Sequence, residues 1–211
     1  MKKISTLLLI ATLVLTMSCN SKTKEAPAVV EETTAEATSP FEDKTYVVSN
    51  SESTVTWEGY GIGKSHNGTV NVVAGKFEIA NGALSIGKMT IDMSSLVALD
   101  LTDADKKGKL EGHLKDADFF NVAAFPTANI EVTDASNLSA VKANLTIKDK
   151  TNEIVFPAKL EMVDGAAVLT ADLTIDRTKF GITYGSGNFF KDLGDKLIKD
   201  EFKIGVKLIA K

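Results

Sequence analysis

The chain has 211 residues, a formal net charge of −4 at pH 7 and 44% hydrophobic residues. This acidic balance disfavours binding to nucleic acid, because phosphate groups require a basic protein surface. Cys19 is the only cysteine, so no intramolecular disulfide can form. The length is sufficient for one domain with a sizeable hydrophobic core.

The first 18 residues have the pattern of a signal peptide. A short basic region (residues 2–3) precedes an apolar run over residues 7–15, which is too short to span a bilayer. Because the run ends just before Cys19, the segment resembles a bacterial lipoprotein signal, although Thr16 stands where such signals usually carry leucine. An ordinary secretory signal cleaved near Ser18 is the alternative. We expect an exported protein, lipid-anchored at the bacterial cell envelope on the outer membrane or a periplasmic face.

Residues 19–44 predict a flexible tether that begins at the lipidated Cys19. The segment is rich in Lys, Glu, Thr, Ala, Ser and Pro, and its only aromatic residue is Phe41. Such a composition buries too little apolar surface to offset the entropy of ordering the chain. Residues 45–211 then form one folded domain, and the anchor rather than a polybasic patch holds the protein at the membrane.

Alternation of apolar and polar residues dominates the domain and predicts β-strands. Eight runs occur near residues 54–58, 70–79, 84–91, 130–132, 141–147, 154–162, 169–175 and 202–208. Asn81-Gly82 and Asp164-Gly165 are typical of tight antiparallel hairpins. Gly75 and Gly87 fall inside long runs and favour the bent strands of a barrel. About eight antiparallel strands either close into a barrel or pack as a sandwich, and long bent strands favour the barrel. We therefore predict an all-β fold, an eight-stranded antiparallel β-barrel that can hold one small ligand.

Between the third and fourth runs, residues 102–116 lack the two-residue period and predict a short, mostly exposed helix. The helix leads into an aromatic cluster of Phe119, Phe120 and Phe125. Full burial of each phenylalanine contributes about 1.5–3 kcal/mol, so all three are expected to be buried. Composition alone leaves open whether they plug a core or form the wall of a ligand cavity.

The glycine-rich segment 59–65 is interpreted as a turn between two strands. Glu58 stands where a P-loop requires its first glycine, and Lys64 stands where a dinucleotide-binding loop requires its third. Neither phosphate-binding motif is therefore present.

The two histidines, His66 and His113, do not predict a metal or catalytic site. Asp92 or Asp118 could join them, but the chain has no closely spaced His pair, no thiolate in the domain and no strained nucleophile. We expect no metal, no cofactor and no catalytic residue. Each histidine is expected to bind a carboxylate or backbone group at an end of the barrel.

Asp176-Arg177 closes the seventh strand run and has two interpretations. The arginine could form an ion pair that covers the core, or its planar guanidinium could meet an anionic head group.

Five segments in order resemble the YceI-like family. They are Ser65–Gly68, Ile91–Ser95, Gly112–Leu114 with Asp118–Phe120, Phe125–Thr127, and Leu173–Arg177 with Phe180-Gly181. The resemblance covers about residues 45–210. The family's usual glycine in one turn is replaced by Asp149, a change confined to that turn.

The resemblance implies an extended, lipocalin-like β-barrel with a short helical insertion and an elongated apolar interior for a long-chain lipid such as a polyisoprenoid. Family members are commonly exported or periplasmic, and no catalytic activity is firmly attached to them. The implied cavity-wall or end-plug residues are Trp57, Phe77, Ile91, Leu114, Phe119, Phe120, Phe125, Phe156, Phe180 and Tyr184. The implied head-group or structural polar residues are His66, Asp92, His113, Asp118, Asp176 and Arg177.

The expected function is to bind and sequester or transport a long-chain lipid, either a polyisoprenoid or a fatty-chain amphiphile. One alternative is an enzyme or redox partner that acts on an isoprenoid quinone. Another is a structural or stress-related envelope protein with a filled barrel, which the absence of an elongated void would favour. The sequence is compatible with a monomer or a homodimer.

Overall fold

The structure, a computed structural model, describes residues 39–211, in which one antiparallel sheet of ten strands dominates. The signal segment, Cys19 and the tether as far as residue 38 lie outside the described residues. The strands are β1 (Thr45–Val47), β2 (Thr54–Gly61), β3 (Lys64–Ala80), β4 (Ala83–Ala98), β5 (Thr127–Asp134), β6 (Val141–Ile147), β7 (Lys150–Phe156), β8 (Ala158–Val163), β9 (Ala166–Asp176) and β10 (Glu201–Ala210). One α-helix, α1 (Ala104–Lys115), and three short 3-10 turns (Leu138–Ala140, Arg177–Phe180 and Gly194–Lys196) complete the fold.

The order of strands in the sheet is β7-β6-β5-β4-β3-β2-β10-β9-β8, and β1 pairs with the C-terminal half of β3. The two edge strands, β7 and β8, follow each other in the chain and are separated by Pro157 alone. The chain itself therefore joins the two edges of the curved sheet, although no backbone ladder pairs them. Register shifts between β3 and β4 add the local bends that such curvature requires.

The predicted all-β fold with a helical insertion is confirmed, but the strand count is ten rather than eight. The short strand β1 carries too few residues to show a period. The run predicted over residues 154–162 is divided at Pro157, since proline has no N–H to donate to a ladder and restricts the residue before it. As a result, β7 pairs with β6 whereas β8 pairs with β9.

Both predicted hairpin turns are present. Asn81 and Gly82 have φ values of 53° and 71°, and Asp164 and Gly165 have values of 51° and 78°. Two consecutive left-handed residues match the twist of the flanking strands, which explains why Asn-Gly and Asp-Gly favour this turn.

The helix α1 is capped and lies against β4. The Asp103 side chain accepts a hydrogen bond from the backbone N–H of Lys106 (3.0 Å), which satisfies one free amide of the first turn. Glu111 accepts from the N–H of Ala98 at the end of β4 (2.8 Å). Leu114 is the one buried residue of the helix, and its side chain packs at the end of the sheet. Among residues 39–211, no helix is long and apolar enough to cross a membrane.

Candidate functional site: the cavity inside the curved sheet

The curved sheet encloses a cavity of about 200 Å³. On the same scale a single water needs about 10–15 Å³, so the space is large enough for a multi-atom ligand. Because side chains alternate between the two faces of a strand, alternate residues of β9 and β10 point into this space. The clearest series are Leu169, Ala171, Leu173 and Ile175 of β9 and Phe202, Ile204, Val206 and Leu208 of β10.

The wall of the cavity is almost entirely apolar. Aliphatic and aromatic side chains line it from most strands, and the lining contains no aspartate or glutamate. Lys88, one of the few charged residues recorded along the lining, is an outward neighbour of Met89 and pairs with Glu131 at 2.7 Å. Since an apolar cavity gives a polar solute no partners, the space favours a hydrocarbon-rich ligand.

The helical insertion forms one end of the cavity. Leu114, Phe119 and Phe120 line it there. The Phe119 and Phe120 rings meet edge to face at 5.1 Å, and Phe120 in turn faces Phe202 at 6.4 Å. These two phenylalanines are therefore part of the cavity wall as well as of the core. Composition alone does not distinguish these two positions.

Seven of the ten residues predicted for the cavity wall or end plug line the cavity. They are Trp57, Phe77, Ile91, Leu114, Phe119, Phe120 and Phe156.

The other three lie elsewhere, and each has a local cause. Phe125 ends a turn that is hydrogen-bonded back to Asn121 and is half-buried outside the lining. Phe180 is buried in a 3-10 turn, because β9 ends at Asp176 and the inward alternation stops with it. Tyr184 is exposed and packs edge-on against His113 at 4.6 Å between ring centroids.

Most of the predicted polar residues also lie outside the cavity lining. His66 Nδ1 is 2.7 Å from Asp100 Oδ2. His113 Nδ1 is 3.9 Å from Asp118 Oδ1.

The aspartates predicted with them accept hydrogen bonds from nearby backbone, Asp92 within β4 and Asp176 at the 3-10 turn after β9. Asp92 accepts from the backbone N–H of Ser94 (2.9 Å), and Asp176 accepts from the backbone N–H of Thr178 (2.9 Å). These contacts give both side chains structural partners. Among residues 39–211, no three histidine, cysteine or acidic side chains are grouped to hold a metal ion.

Arg177 is the one member of that polar set along the lining, and its guanidinium is already occupied. It donates to three backbone carbonyls, from Nε to Lys199 (3.1 Å), Nη1 to Ile182 (2.8 Å) and Nη2 to Ile198 (2.9 Å). Asp200 Oδ1 lies 3.3 Å from Nη2. Burial lowers the pKa of Arg177, and the nearby carboxylates of Asp200 and Asp176 oppose that shift. Of the two interpretations of Arg177, this geometry therefore favours an ion pair that covers the core and disfavours a role in binding an anionic head group.

Apart from Ile91 and Leu114, sequence reasoning missed the aliphatic part of the wall, which includes Leu173, Ile204 and Val206. Their two-residue period marks them as sharing a face with their strand neighbours. Which face turns inward depends on the pairing of β2, β10 and β9, in which Ile204 lies between Trp57 and Leu173.

Comparisons with known proteins agree with this architecture. The crystal structure of Burkholderia cenocepacia BcnA is 21% identical with a TM-score of 0.60, and the match covers 78% of this chain and 99% of that one. A polyisoprenoid binding domain from Saccharophagus degradans, implicated in plant cell wall breakdown, is 15% identical with a TM-score of 0.55, covering 79% and 97% of the two chains. At these identities the similarity establishes the fold alone. No curated protein matches the chain.

The family comparison extends over nearly all of the described fold. The model of the YceI-like domain matches residues 46–210, from β1 to the last residue of β10. The resemblance suggested by the five sequence segments is thereby confirmed. The chain belongs to the YceI-like domain family.

Proposed function

We propose that the protein binds a long-chain lipid, a polyisoprenoid or a fatty-chain amphiphile, inside the curved sheet and sequesters or transports it. The observation that carries this proposal is the cavity of about 200 Å³ whose lining contains no acidic side chain. Membership of the YceI-like family supports it, as does the description of the Saccharophagus degradans domain as polyisoprenoid binding.

Hydrocarbon burial is sufficient to drive such binding. Each methylene group transferred from water contributes about 0.8 kcal/mol. A chain of roughly 20 buried carbons contributes about 16 kcal/mol, which offsets the about 4–15 kcal/mol that the loss of translational and rotational freedom costs. Specific polar contacts are then not required for affinity.

The two alternatives receive less support. A filled barrel would leave no void, whereas this interior is open. An enzyme acting on a quinone would need acid–base groups directed at the ligand, whereas His66 and His113 are engaged outside the lining. Binding is the activity that the geometry supports best.

The direct test is to extract the purified protein with organic solvent and identify any lipid by mass spectrometry. Ala171→Phe places a ring in the cavity and should lower the affinity for a fatty-chain fluorescent probe more than tenfold. Thr170→Phe is the matched control, because Thr170 is the outward neighbour on β9. The proposal is wrong if the wild-type protein carries no lipid and binds neither polyprenyl nor fatty-chain probes.

For the location, we propose that the chain is exported and anchored at the cell envelope by a lipid on Cys19. The support is the sequence pattern of residues 1–19. Mass spectrometry of the mature N-terminus tests this arrangement, and an unmodified Cys19 would overturn it. Sedimentation of the same material distinguishes a monomer from a homodimer.

A further inference from the structure

All three exposed aromatic side chains among residues 39–211 lie in one loop, between the 3-10 turn at Arg177–Phe180 and β10. Tyr184, Phe189 and Phe190 are 45%, 58% and 49% exposed. Exposed aromatic groups of this size, clustered rather than scattered, mark a surface that meets an apolar partner.

The loop presents these side chains from a fixed turn. The carbonyl of Ser186, a residue with no exposed surface, accepts hydrogen bonds from the N–H groups of Phe189 (3.1 Å) and Phe190 (2.9 Å). The Asn188 side chain donates to Asp200 (2.6 Å), and Asp200 pairs with the buried Arg177. The turn that carries both exposed phenylalanines is therefore tied to the buried Ser186 and, through Asp200, to the buried Arg177.

The same loop reaches the cavity. Ile198 and Lys199, at the end of the loop, line the cavity. A bridge between Gly61 and Ile198 brings the β2–β3 turn beside the loop, and Ile62 at that turn is 50% exposed. Three exposed aromatic side chains and one exposed isoleucine lie on the segments beside the part of the cavity that Ile198 and Lys199 line. We call these four side chains the aromatic rim; they are Ile62, Tyr184, Phe189 and Phe190.

Charge within the loop is balanced. Three lysines are matched by three aspartates between residues 181 and 200, namely Lys191, Lys196 and Lys199 with Asp192, Asp195 and Asp200. A highly charged partner such as a nucleic acid or a strongly anionic surface would require an excess of lysine and arginine. Phenylalanine and tyrosine with neighbouring lysines are instead typical of side chains at a membrane–water interface.

We propose that the aromatic rim inserts into the interface of a lipid bilayer and places this end of the cavity against the membrane. A water-insoluble chain can then pass between bilayer and cavity without crossing water. This inference rests on the proposed lipid-binding function, because it concerns how the ligand reaches the cavity. The balanced charge further predicts that insertion occurs on neutral lipids and changes little with salt.

A tryptophan placed in the aromatic rim tests insertion in the full-length protein, whatever the state of its N-terminus. Phe189→Trp should show a blue-shifted emission and strong quenching on vesicles of brominated phosphatidylcholine, beyond the background of Trp57 in the wild type. Val155→Trp is the matched control, because Val155 is 59% exposed on β7. Unchanged Phe189→Trp emission, or equal quenching of both variants, overturns the proposal.

A second measurement separates docking from lipid binding. Phe189→Ala/Phe190→Ala should slow transfer of a fluorescent fatty-chain probe from phosphatidylcholine vesicles to the protein about tenfold or more. Equilibrium affinity for the same probe should not change, since neither residue lines the cavity. If the wild type binds no probe at all, the proposed lipid-binding function is wrong. The tryptophan quenching experiment then still shows whether the aromatic rim inserts into the bilayer. If the double variant instead converts a dimer to a monomer, the aromatic rim is an interface between copies and the proposal is wrong.

Discussion

Arg177 illustrates how one buried charge can stabilise the end of a fold. Its guanidinium joins the end of β9 to both ends of the loop before β10 through Ile182, Ile198 and Lys199. Arg177→Leu should lower the free energy of unfolding by about 3–5 kcal/mol, because it leaves three backbone carbonyls without their donor and Asp200 without its ion-pair partner.

Urea unfolding measures this effect. Arg177→Lys should give an intermediate loss, since an ammonium group lacks the planar fork that reaches separate carbonyls. Lys179→Leu, two residues away and exposed, should change stability by less than about 0.5 kcal/mol. Wild-type stability in Arg177→Leu would show that the network contributes nothing.

Asp100 provides a dependence on pH at the residue scale. Burial raises the pKa of Asp100, but hydrogen bonds from His66 and from the backbone N–H of Asn67 outweigh burial, so the pKa is lowered overall. A lowered pKa in the folded state stabilises the protein above the unfolded pKa of about 3.9, and this contribution is lost as the pH falls through the folded value.

Asp100→Asn should therefore be less stable than the wild type at pH 7 by about 0.5 kcal/mol, the scale of a partly exposed pair. The difference should shrink toward zero as the pH falls below about 4. Unfolding curves of the two proteins at pH 7 and pH 3 provide the measurement, and a difference that persists at pH 3 would contradict the assignment.

At the scale of elements, two glycines have opposite roles. A Cβ at Gly108 in α1 would meet no atom within 4 Å, whereas a Cβ at Gly68 in β3 would collide with the Val97 carbonyl oxygen and lie 2.8 Å from the Trp57 ring. Gly108→Ala should raise the free energy of unfolding by about 0.5–1 kcal/mol, because glycine is costly inside a helix.

Gly68→Ala should destabilise the protein by about 1–3 kcal/mol or more, because the pairing of β2, β3 and β4 must shift to admit a methyl group. Thermal unfolding of Gly108→Ala and Gly68→Ala beside the wild type tests both predictions, a gain of stability for the first and a loss for the second. Equal stability of Gly68→Ala and the wild type would show that the close approach of Trp57 is not required.

For the whole molecule, an occupied cavity should be more stable than an empty one. A ligand at 100 times its Kd adds about 2.7 kcal/mol to the free energy of unfolding. In a domain of this size that corresponds to a rise in Tm of about 5–10 °C. Calorimetry with increasing fatty-chain ligand should show this rise for the wild type and for Thr170→Phe, and a much smaller one for Ala171→Phe. A Tm independent of ligand concentration would contradict the proposed site.

Much of the secondary structure could be predicted from short-range patterns. Alternation at Leu169–Ile175, the Asn81-Gly82 turn and the polar run of α1 each depend on residues close together in the chain, so each carries its own signal. The division at Pro157 was missed although proline is visible in the sequence, because continuous alternation on both sides obscured it. For the candidate site, the family resemblance implied wall residues such as Trp57 and Phe119, which line the cavity, but also Phe180 and Tyr184, which do not.

By itself, the sequence determined the strands, the hairpins, the helical insertion and the family, because local periodicity and ordered motifs are written within single segments. Only the tertiary structure decided that β9, β2 and β10 turn their apolar faces to one cavity, that Arg177 is occupied by distant carbonyls, and that the remaining exposed aromatic residues gather in one loop. These features depend on the register between segments far apart in the chain. A one-residue change in register would turn every side chain of a strand to its other face.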